Sequence, residues 1–210
     1  MLKENILFKG LDTDRIQQII HTTGTREVTY APGEIIMHQG DVAQDIGIVL
    51  QGSAIGKKYT RAGEEIIASV LTENKIFGDV LSGADGFASP VTVQAVTKCT
   101  VLFINYKNLL YSSHPQAHKI LQNMIRNISM KYFVQNKRME ILMLKSVRSK
   151  ITTYLEWQAD SKGGRSFTID MDRQLMADFL GVERSALSRE LSRMKKDGLI
   201  DYHKNHFVIL

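Results

Sequence analysis

The sequence of 210 residues predicts an α+β protein built from three consecutive parts. Short β-rich runs separated by glycines occupy residues 26–106, and an apolar heptad pattern follows over residues 121–142. Residues 172–209 then change from helical spacing to the pattern of a β-hairpin. These observations place the domain bounds at 1–112, 113–145 and 146–210.

The composition predicts a globular protein whose basic surface lies in its C-terminal half. Hydrophobic residues make up 43% of the chain, and the net charge of +5 arises after residue 112. Since no apolar run approaches about 18 residues, we expect no membrane span and no membrane partner. The N-terminus lacks a signal-peptide pattern and Cys99 is the single cysteine, so we expect a cytoplasmic protein.

The first part reads as a short helical lead-in followed by a jelly roll. The apolar stripe of the lead-in helix comprises Leu11, Ile16, Ile19 and Ile20. Runs such as 46–50 and 99–104 are short and β-rich, and glycine turns such as Pro32-Gly33 separate them. Several short strands at this spacing are typical of a double-stranded β-helix, also called a jelly roll.

The second part predicts one long helix. Ser113 and Gln116 are placed for a capping box, with Pro115 in the first turn. A seam of residues four and three apart follows: Leu121, Ile125, Ile128, Tyr132, Gln135, Met139 and Leu142. Such a seam can pack on the roll, on a partner chain or on both, and its sustained 3.5-residue spacing favours a homodimer. Ser146 is placed to cap the next helix.

The third part predicts two short helices followed by a hairpin. Asp172 is a suitable N-cap for the first helix, and Gly181 suits the turn at its end. The apolar face of that helix comprises Leu175, Met176, Phe179 and Leu180. The run 166–169 adds a strand, and a hairpin turn falls at Lys204-Asn205. This order is a winged helix-turn-helix.

The second of these helices has a basic face suited to duplex DNA. Arginine can bond a guanine edge twice, and serine can bond several base edges. The predicted DNA contacts are Arg184, Ser185, Ser188, Arg189, Arg193 and Lys204. The alternative is an ordinary helical hairpin whose basic face is merely solvated.

The whole chain resembles the CRP/FNR family of bacterial transcription regulators. The resemblance rests on Phe77-Gly78-Asp79, on the long helix and on the run from Leu180 to Arg189. It implies a homodimer that reads a palindromic operator and contacts RNA polymerase. It also implies base contacts at Arg184, Ser185 and Arg189, with Ser188 as a fourth in the FNR branch. The family commonly has glutamate where this chain has Ser185, so the operator sequence does not follow from the family pattern.

The resemblance does not identify a ligand for the roll. Cyclic-nucleotide sensing in the family needs a glutamate and an arginine-serine pair, but here these positions hold Asp79 and Ser89-Pro90. No arginine lies between Arg61 and Arg126, so a cyclic phosphate would lack its strongest bond. A single cysteine cannot hold an iron–sulfur cluster. We therefore expect no cofactor and an unidentified effector.

Candidate effector residues are Phe77, Gly78, Asp79, Ser89, Tyr132 and Phe133. The alternatives are that the first group forms only a structural turn, and that Tyr132 and Phe133 belong to the core or the dimer seam. An effector-independent regulator stays open, and a cyclic-nucleotide-responsive regulator is less favoured.

An enzyme is not expected from this sequence. No nucleophile elbow, phosphate loop, dinucleotide fingerprint or zincin motif is present. His114 and His118 are four residues apart but lack a third ligand, so we expect neither catalytic residues nor a metal site.

Overall fold

The structure is a computed structural model that describes residues 2–60, 62–84 and 86–210. The chain divides into two compact units, Met1–Met130 and Lys131–Leu210, and each is described by itself. One long helix, Pro115–Met143, contributes its first half to one unit and its second half to the other.

Among its described residues, the first unit contains eight strands and the helices that cover them. Two 3₁₀ turns, Leu2–Glu4 and Ile6–Phe8, come first. The following elements are α1 (Thr13–Thr22), β1 (Arg26–Tyr30), β2 (Ile35–Met37), β3 (Asp45–Gln51), β4 (Ala54–Tyr59), β5 (Glu65–Leu71), β6 (Ile76–Phe77), α2 (Asp79–Ser82), β7 (Thr92–Ala95), β8 (Cys99–Asn105), α3 (Tyr106–Leu110) and α4 (Pro115–Met143).

The strands form two four-stranded antiparallel sheets, in the orders β1-β8-β3-β6 and β2-β7-β4-β5. Because successive side chains of a strand point to opposite faces, β8 serves two cores at once. Its Val101 and Phe103 lie in the core between the sheets, whereas Leu102 and Ile104 pack against the helices. The predicted jelly roll is therefore confirmed.

The second unit contains the end of α4 and a winged helix-turn-helix. Its further elements are α5 (Val147–Lys162), β9 (Ser166–Thr168), α6 (Arg173–Leu180), α7 (Arg184–Lys196), β10 (Ile200–His203) and β11 (His206–Ile209). The strands pair antiparallel in the order β10-β11-β9. Its core includes Ile141 from α4, Tyr154 from α5, Leu180 from α6, Leu187 from α7 and Phe207 from β11.

Local hydrogen bonds confirm two predicted helix starts and correct a third. Ser146 caps α5 by accepting from the Ser149 amide at 3.0 Å, as the sequence predicts. Asp172 caps α6 in the same way. The prediction that Ser113 caps α4 was wrong, because the Gln116 amide donates to His114 Nδ1 at 3.3 Å and the helix begins at Pro115.

One predicted core residue is not in the core. Leu175 is 55% exposed, whereas Met176 and Leu180 on the same helix are fully buried. Ala177 takes the remaining buried position of α6, since the second helix of the motif packs against that side. The apolar face of α6 is therefore rotated from the one that the sequence pattern predicts.

Candidate functional site

The helix α7 is held by an apolar stripe that leaves its other face open. Leu187, Leu191 and Met194 are buried at helical spacing. The opposite face exposes all five predicted α7 contacts, Arg184, Ser185, Ser188, Arg189 and Arg193. Sequence reasoning therefore identified which side of α7 faces solvent, since a 3.6-residue period fixes both faces together.

The turn between α6 and α7 depends on Gly181. Its φ of +61° is left-handed, and its amide donates to the Asp178 carbonyl at 3.3 Å while the Val182 amide donates to the Ala177 carbonyl at 3.0 Å. This is the glycine C-cap that the sequence predicts. It sets the direction in which α7 leaves α6.

The wing is tied to the helix-turn-helix by Arg173, the first residue of α6. Its guanidinium donates to the backbone carbonyl of Lys204 and lies 4.9 Å from the Phe207 ring centroid and 5.3 Å from that of Tyr202. Burial lowers the pKa of Arg173 from its ordinary value. Lys204 itself is exposed at the wing tip, with a φ of +50° in the hairpin turn. Sequence reasoning missed Arg173, although its place beside the N-cap Asp172 was visible.

Some of the cationic side chains of α7 are neutralised by carboxylates of this chain, and others are not. Arg193 lies 3.4 Å from Glu190, and Lys195 pairs with Asp201. Within the described part of the chain, Arg184 and Arg189 have no ion-pair partner. Glu190 was unexplained by the sequence, and the structure pairs it with Arg148 on α5 as well as with Arg193. The two unpaired arginines are therefore the strongest candidates for an anionic ligand.

The predicted seam residues of α4 are largely exposed. In the first unit, Ile125 is 65% exposed, while Leu121 and Ile128 are half-buried against the helix-side core. In the second unit, Tyr132 is 61% exposed, and Gln135, Met139 and Leu142 are exposed as well. Large apolar side chains on an exposed helix face are typical of a face that another surface covers.

Most predicted effector residues around α2 have structural partners. Gly78 is left-handed at the start of α2, and a Cβ there would lie 2.7 Å from the Asp45 carbonyl oxygen. Asp79 is buried and accepts from Asn127 Nδ2 at 3.1 Å. The buried Ser89 hydroxyl donates to the Val91 carbonyl at 2.7 Å. Gly78 and Asp79 therefore serve the turn at the start of α2, and Ser89 bonds within its own loop.

Phe77 and the pair Tyr132–Phe133 lie in different units. Phe77 is directed into the roll, where its ring meets Phe103 edge-on at 6.2 Å. Tyr132 and Phe133 make an edge-on pair of their own at 6.1 Å, both exposed on the second unit's part of α4. The structure thus places Phe77 inside the roll and leaves Tyr132 and Phe133 at the surface.

A cavity of about 260 Å³ opens at one end of the roll beside Phe77. Its lining includes Ile36, Met37, Phe103 and Arg26. The Arg26 guanidinium lies 4.1 Å from the Phe103 ring centroid and donates to Asp45 Oδ2 at 2.9 Å. Sequence reasoning missed this cation, because it sought an arginine near Ser89 and Arg26 comes from the first strand.

Neither a metal cluster nor a membrane-spanning helix is found among the described residues. No three or more His, Cys, Asp or Glu side chains among them cluster as a metal site would require. None of their helices combines the length and apolar character that crossing a bilayer demands.

Two family models match this chain in succession. The cyclic nucleotide-binding domain model matches residues 27–111, and the Crp-like helix-turn-helix domain model matches residues 149–210. The chain belongs to the CRP/FNR family of transcription regulators. As a CRP/FNR regulator it is not an enzyme.

Curated relatives of this CRP/FNR protein span both of its domains. It is 26% identical to the transcriptional activator protein anr of Pseudomonas aeruginosa, over 95% of this chain and 81% of the relative. It is 24% identical to the global nitrogen regulator of Synechococcus elongatus, over 84% of this chain and 82% of the relative.

Solved structures share the fold of this CRP/FNR protein. The catabolite activator protein of Thermus thermophilus superposes with a TM-score of 0.59 at 19% identity, covering 98% of this chain and 94% of that one. DNR from Pseudomonas aeruginosa superposes with a TM-score of 0.51 at 21% identity, covering 100% of this chain and 92% of that one. At these identities the likeness shows the fold alone.

Proposed function

We propose that this CRP/FNR regulator is a homodimer that reads a palindromic DNA operator through α7. The observation that carries the proposal is the exposed face of α7, where Arg184 and Arg189 lack ion pairs among the described residues. Ser185 and Ser188 lie on the same exposed face. Guanidinium groups that are not neutralised by protein carboxylates can bond guanine edges or phosphates.

The proposed roles differ along the interface. Arg184, Ser185, Ser188 and Arg189 would contact base edges, since they project from the first half of α7. Arg193 and Lys204 would contact phosphates, because Arg193 lies further along the helix and Lys204 lies at the wing tip. Phosphate contacts position the protein and base contacts carry the sequence preference.

The proposed dimer uses the exposed seam of α4. Burying Ile125, Tyr132, Met139 and Leu142 against a second copy would remove their apolar surface from water. A two-fold axis along this seam would relate two α7 helices, which then read half-sites about 10 bp apart. RNA polymerase is the further partner that we propose for such a regulator.

We further propose that a small effector binds in the roll, beside Phe77. The cavity of about 260 Å³ supports this, because it combines the rings of Phe77 and Phe103 with polar groups, the Arg26–Asp45 ion pair and Asp41. A cyclic nucleotide is a poorer candidate, since Ser89 occupies the position where the family has an arginine and bonds within its own turn. Control by abundance alone, without an effector, is the alternative.

Selection of binding sites from a random duplex pool tests the proposal. The full-length protein would be used at about 150 mM salt, where non-specific phosphate binding is weak. We expect an enriched palindrome with half-sites one helical turn apart. The double variant Arg184→Ala, Arg189→Ala should lose that enrichment, and the matched variant Lys107→Ala, Lys119→Ala on the first unit should keep it. Selection of no sequence by the wild-type chain, with and without cell-extract metabolites, would contradict the proposal.

A further inference from the structure

Arg148 joins the start of α5 to one carboxylate on α7, Glu190, and to a second at the C-cap of that helix, Asp197. It is the second residue of α5, and its Nε lies 2.5 Å from Glu190 Oε1 while its Nη1 lies 2.8 Å from Asp197 Oδ2. Glu190 and the C-cap residue Asp197 are seven residues apart, so Asp197 follows Glu190 by about two turns on the same side of the helix axis. One guanidinium therefore contacts the helix at two levels.

The two carboxylates differ in exposure. The Glu190 side chain is 12% exposed, whereas the Asp197 side chain is about half exposed. Glu190 is also the single acidic residue within Arg184–Lys196. A carboxylate on this helix would repel DNA phosphates unless a nearby cation compensates it. Arg193 partly neutralises Glu190, since its Nη1 lies 3.4 Å from Glu190 Oε2, but Arg193 belongs to the exposed face of α7.

The position of Arg148 distinguishes it from the DNA-facing cations. It reaches Glu190 from α5, on the flank of α7 between the buried stripe and the exposed face. The hydrogen bonds to Glu190 and Asp197 raise the pKa of Arg148 above its ordinary value. Because a guanidinium is planar and has several fixed donors, it can hold both carboxylates in one geometry. A lysine ammonium in its place would neutralise the carboxylate charge but would not hold both carboxylates in a defined orientation.

We propose that Arg148 is a positioning residue for DNA reading, which neutralises Glu190 and fixes the angle of α7 on α5. The inference rests on the proposed function of α7. It assigns a role in DNA affinity and base preference to a side chain outside the predicted contact set. It also explains how the proposed recognition helix retains a largely buried glutamate, Glu190, beside its arginines.

The test measures binding of full-length variants to the palindrome selected by the wild-type protein, and to a duplex changed at one base pair. We expect Arg148→Ala to bind the palindrome about tenfold more weakly, with reduced preference over the changed duplex. Adding Glu190→Gln should restore most of the affinity, because the uncompensated charge is then gone. Arg148→Lys should keep the melting temperature and the overall affinity but lose part of the base preference.

Lys162→Ala is the matched control. Lys162 lies at the other end of α5 and pairs at 3.9 Å with an exposed carboxylate, Asp170, so its loss should leave both measurements unchanged. Equal binding by Arg148→Ala and Lys162→Ala would overturn the inference while leaving the proposed function intact. Failure of Glu190→Gln to restore affinity would also overturn it, since Arg148 would then contact phosphate directly. If the wild-type chain selects no DNA sequence, the proposed function fails and this inference fails with it.

Discussion

Gly181 and Leu142 are in close contact where the helix-turn-helix meets the end of α4. A Cβ at Gly181 would lie 2.6 Å from Leu142 Cδ2, and the glycine has a φ of +61°. Position 181 thus favours glycine for two reasons: its backbone is left-handed, and a side chain there would meet Leu142. The strain of the left-handed backbone cannot be relieved by a neighbour. The steric contact can, because Leu142 Cδ2 is the end of a flexible side chain.

Gly181→Ala should therefore lower the free energy of unfolding of the second unit by about 1–2 kcal/mol, mainly through the left-handed backbone. Thermal or urea unfolding followed by circular dichroism would measure the loss. Gly164→Ala is the control, because no neighbouring atom lies within 4 Å of a Cβ there and its φ is not positive. Equal stability of the two variants would mean that the α6–α7 turn tolerates an L residue.

Arg189→Ala should cost about 1–3 kcal/mol of binding free energy and relax the preference at one base pair. The reason is that an arginine on a guanine edge makes two directed bonds, which no other base pair reproduces. Competition between duplexes changed at single positions would measure it. A loss that is uniform across all sequences would make Arg189 a phosphate contact instead.

Lys204→Ala should weaken binding about equally for all sequences and reduce the salt slope by about 1. Lys204 sits at the exposed wing tip, where a phosphate contact carries no base preference. Titrations at several salt concentrations would give the slope. Lys162→Ala on α5 serves as the control, and an unchanged slope for Lys204→Ala would remove the wing from the interface.

Ile125→Glu should convert the dimer to monomers. A charge placed on a 65% exposed seam residue costs little in the free chain but is repelled and desolvated once two seams meet. Sedimentation velocity would report the oligomeric state. Val96→Glu, at an exposed apolar residue of the roll, is the control. If the wild-type chain is already a monomer in this experiment, the proposal that α4 forms a dimer interface is wrong.

The second unit should lose stability at alkaline pH through Tyr154. Burial raises the pKa of Tyr154 to about 12, above its ordinary value of 10.0, because the ionised phenolate is poorly solvated in the core. Because the pKa of Tyr154 is higher in the folded state than in the unfolded state, its contribution to stability is fully present below about pH 10. That contribution is lost as the pH rises from about 10 to 12. Unfolding free energies across that range would show a loss of up to about 3 kcal/mol.

The control for this prediction uses two phenylalanine variants. Tyr154→Phe should flatten the alkaline dependence, since it removes the ionising hydroxyl and keeps the ring packing. Tyr111→Phe, at a highly exposed tyrosine, should retain the wild-type dependence. If both variants lose stability as the wild-type chain does, another group is responsible for the alkaline unfolding.

The sequence by itself determined the order of roll, long helix and winged helix-turn-helix, together with the exposed face of α7. Those features follow from local rules: period 2 in strands, period 3.6 in helices, and glycine at the left-handed turn of Gly181. The same rules put Leu187 and Leu191 inside and Arg189 outside, because the buried face of a helix fixes its exposed face.

The tertiary structure alone decided which distant residues meet. Arg26 reaches the cavity beside Phe77, Arg148 pairs with Glu190, and Arg173 holds the wing at Lys204. Arg148 and Glu190 are 42 positions apart, Arg173 and Lys204 are 31 apart, and Arg26 and Phe77 come from different strands of the roll. No periodic pattern in the sequence records that such residues meet. Leu175 was misplaced for the same reason, since the packing of α7 rather than the spacing within α6 decides which side is buried.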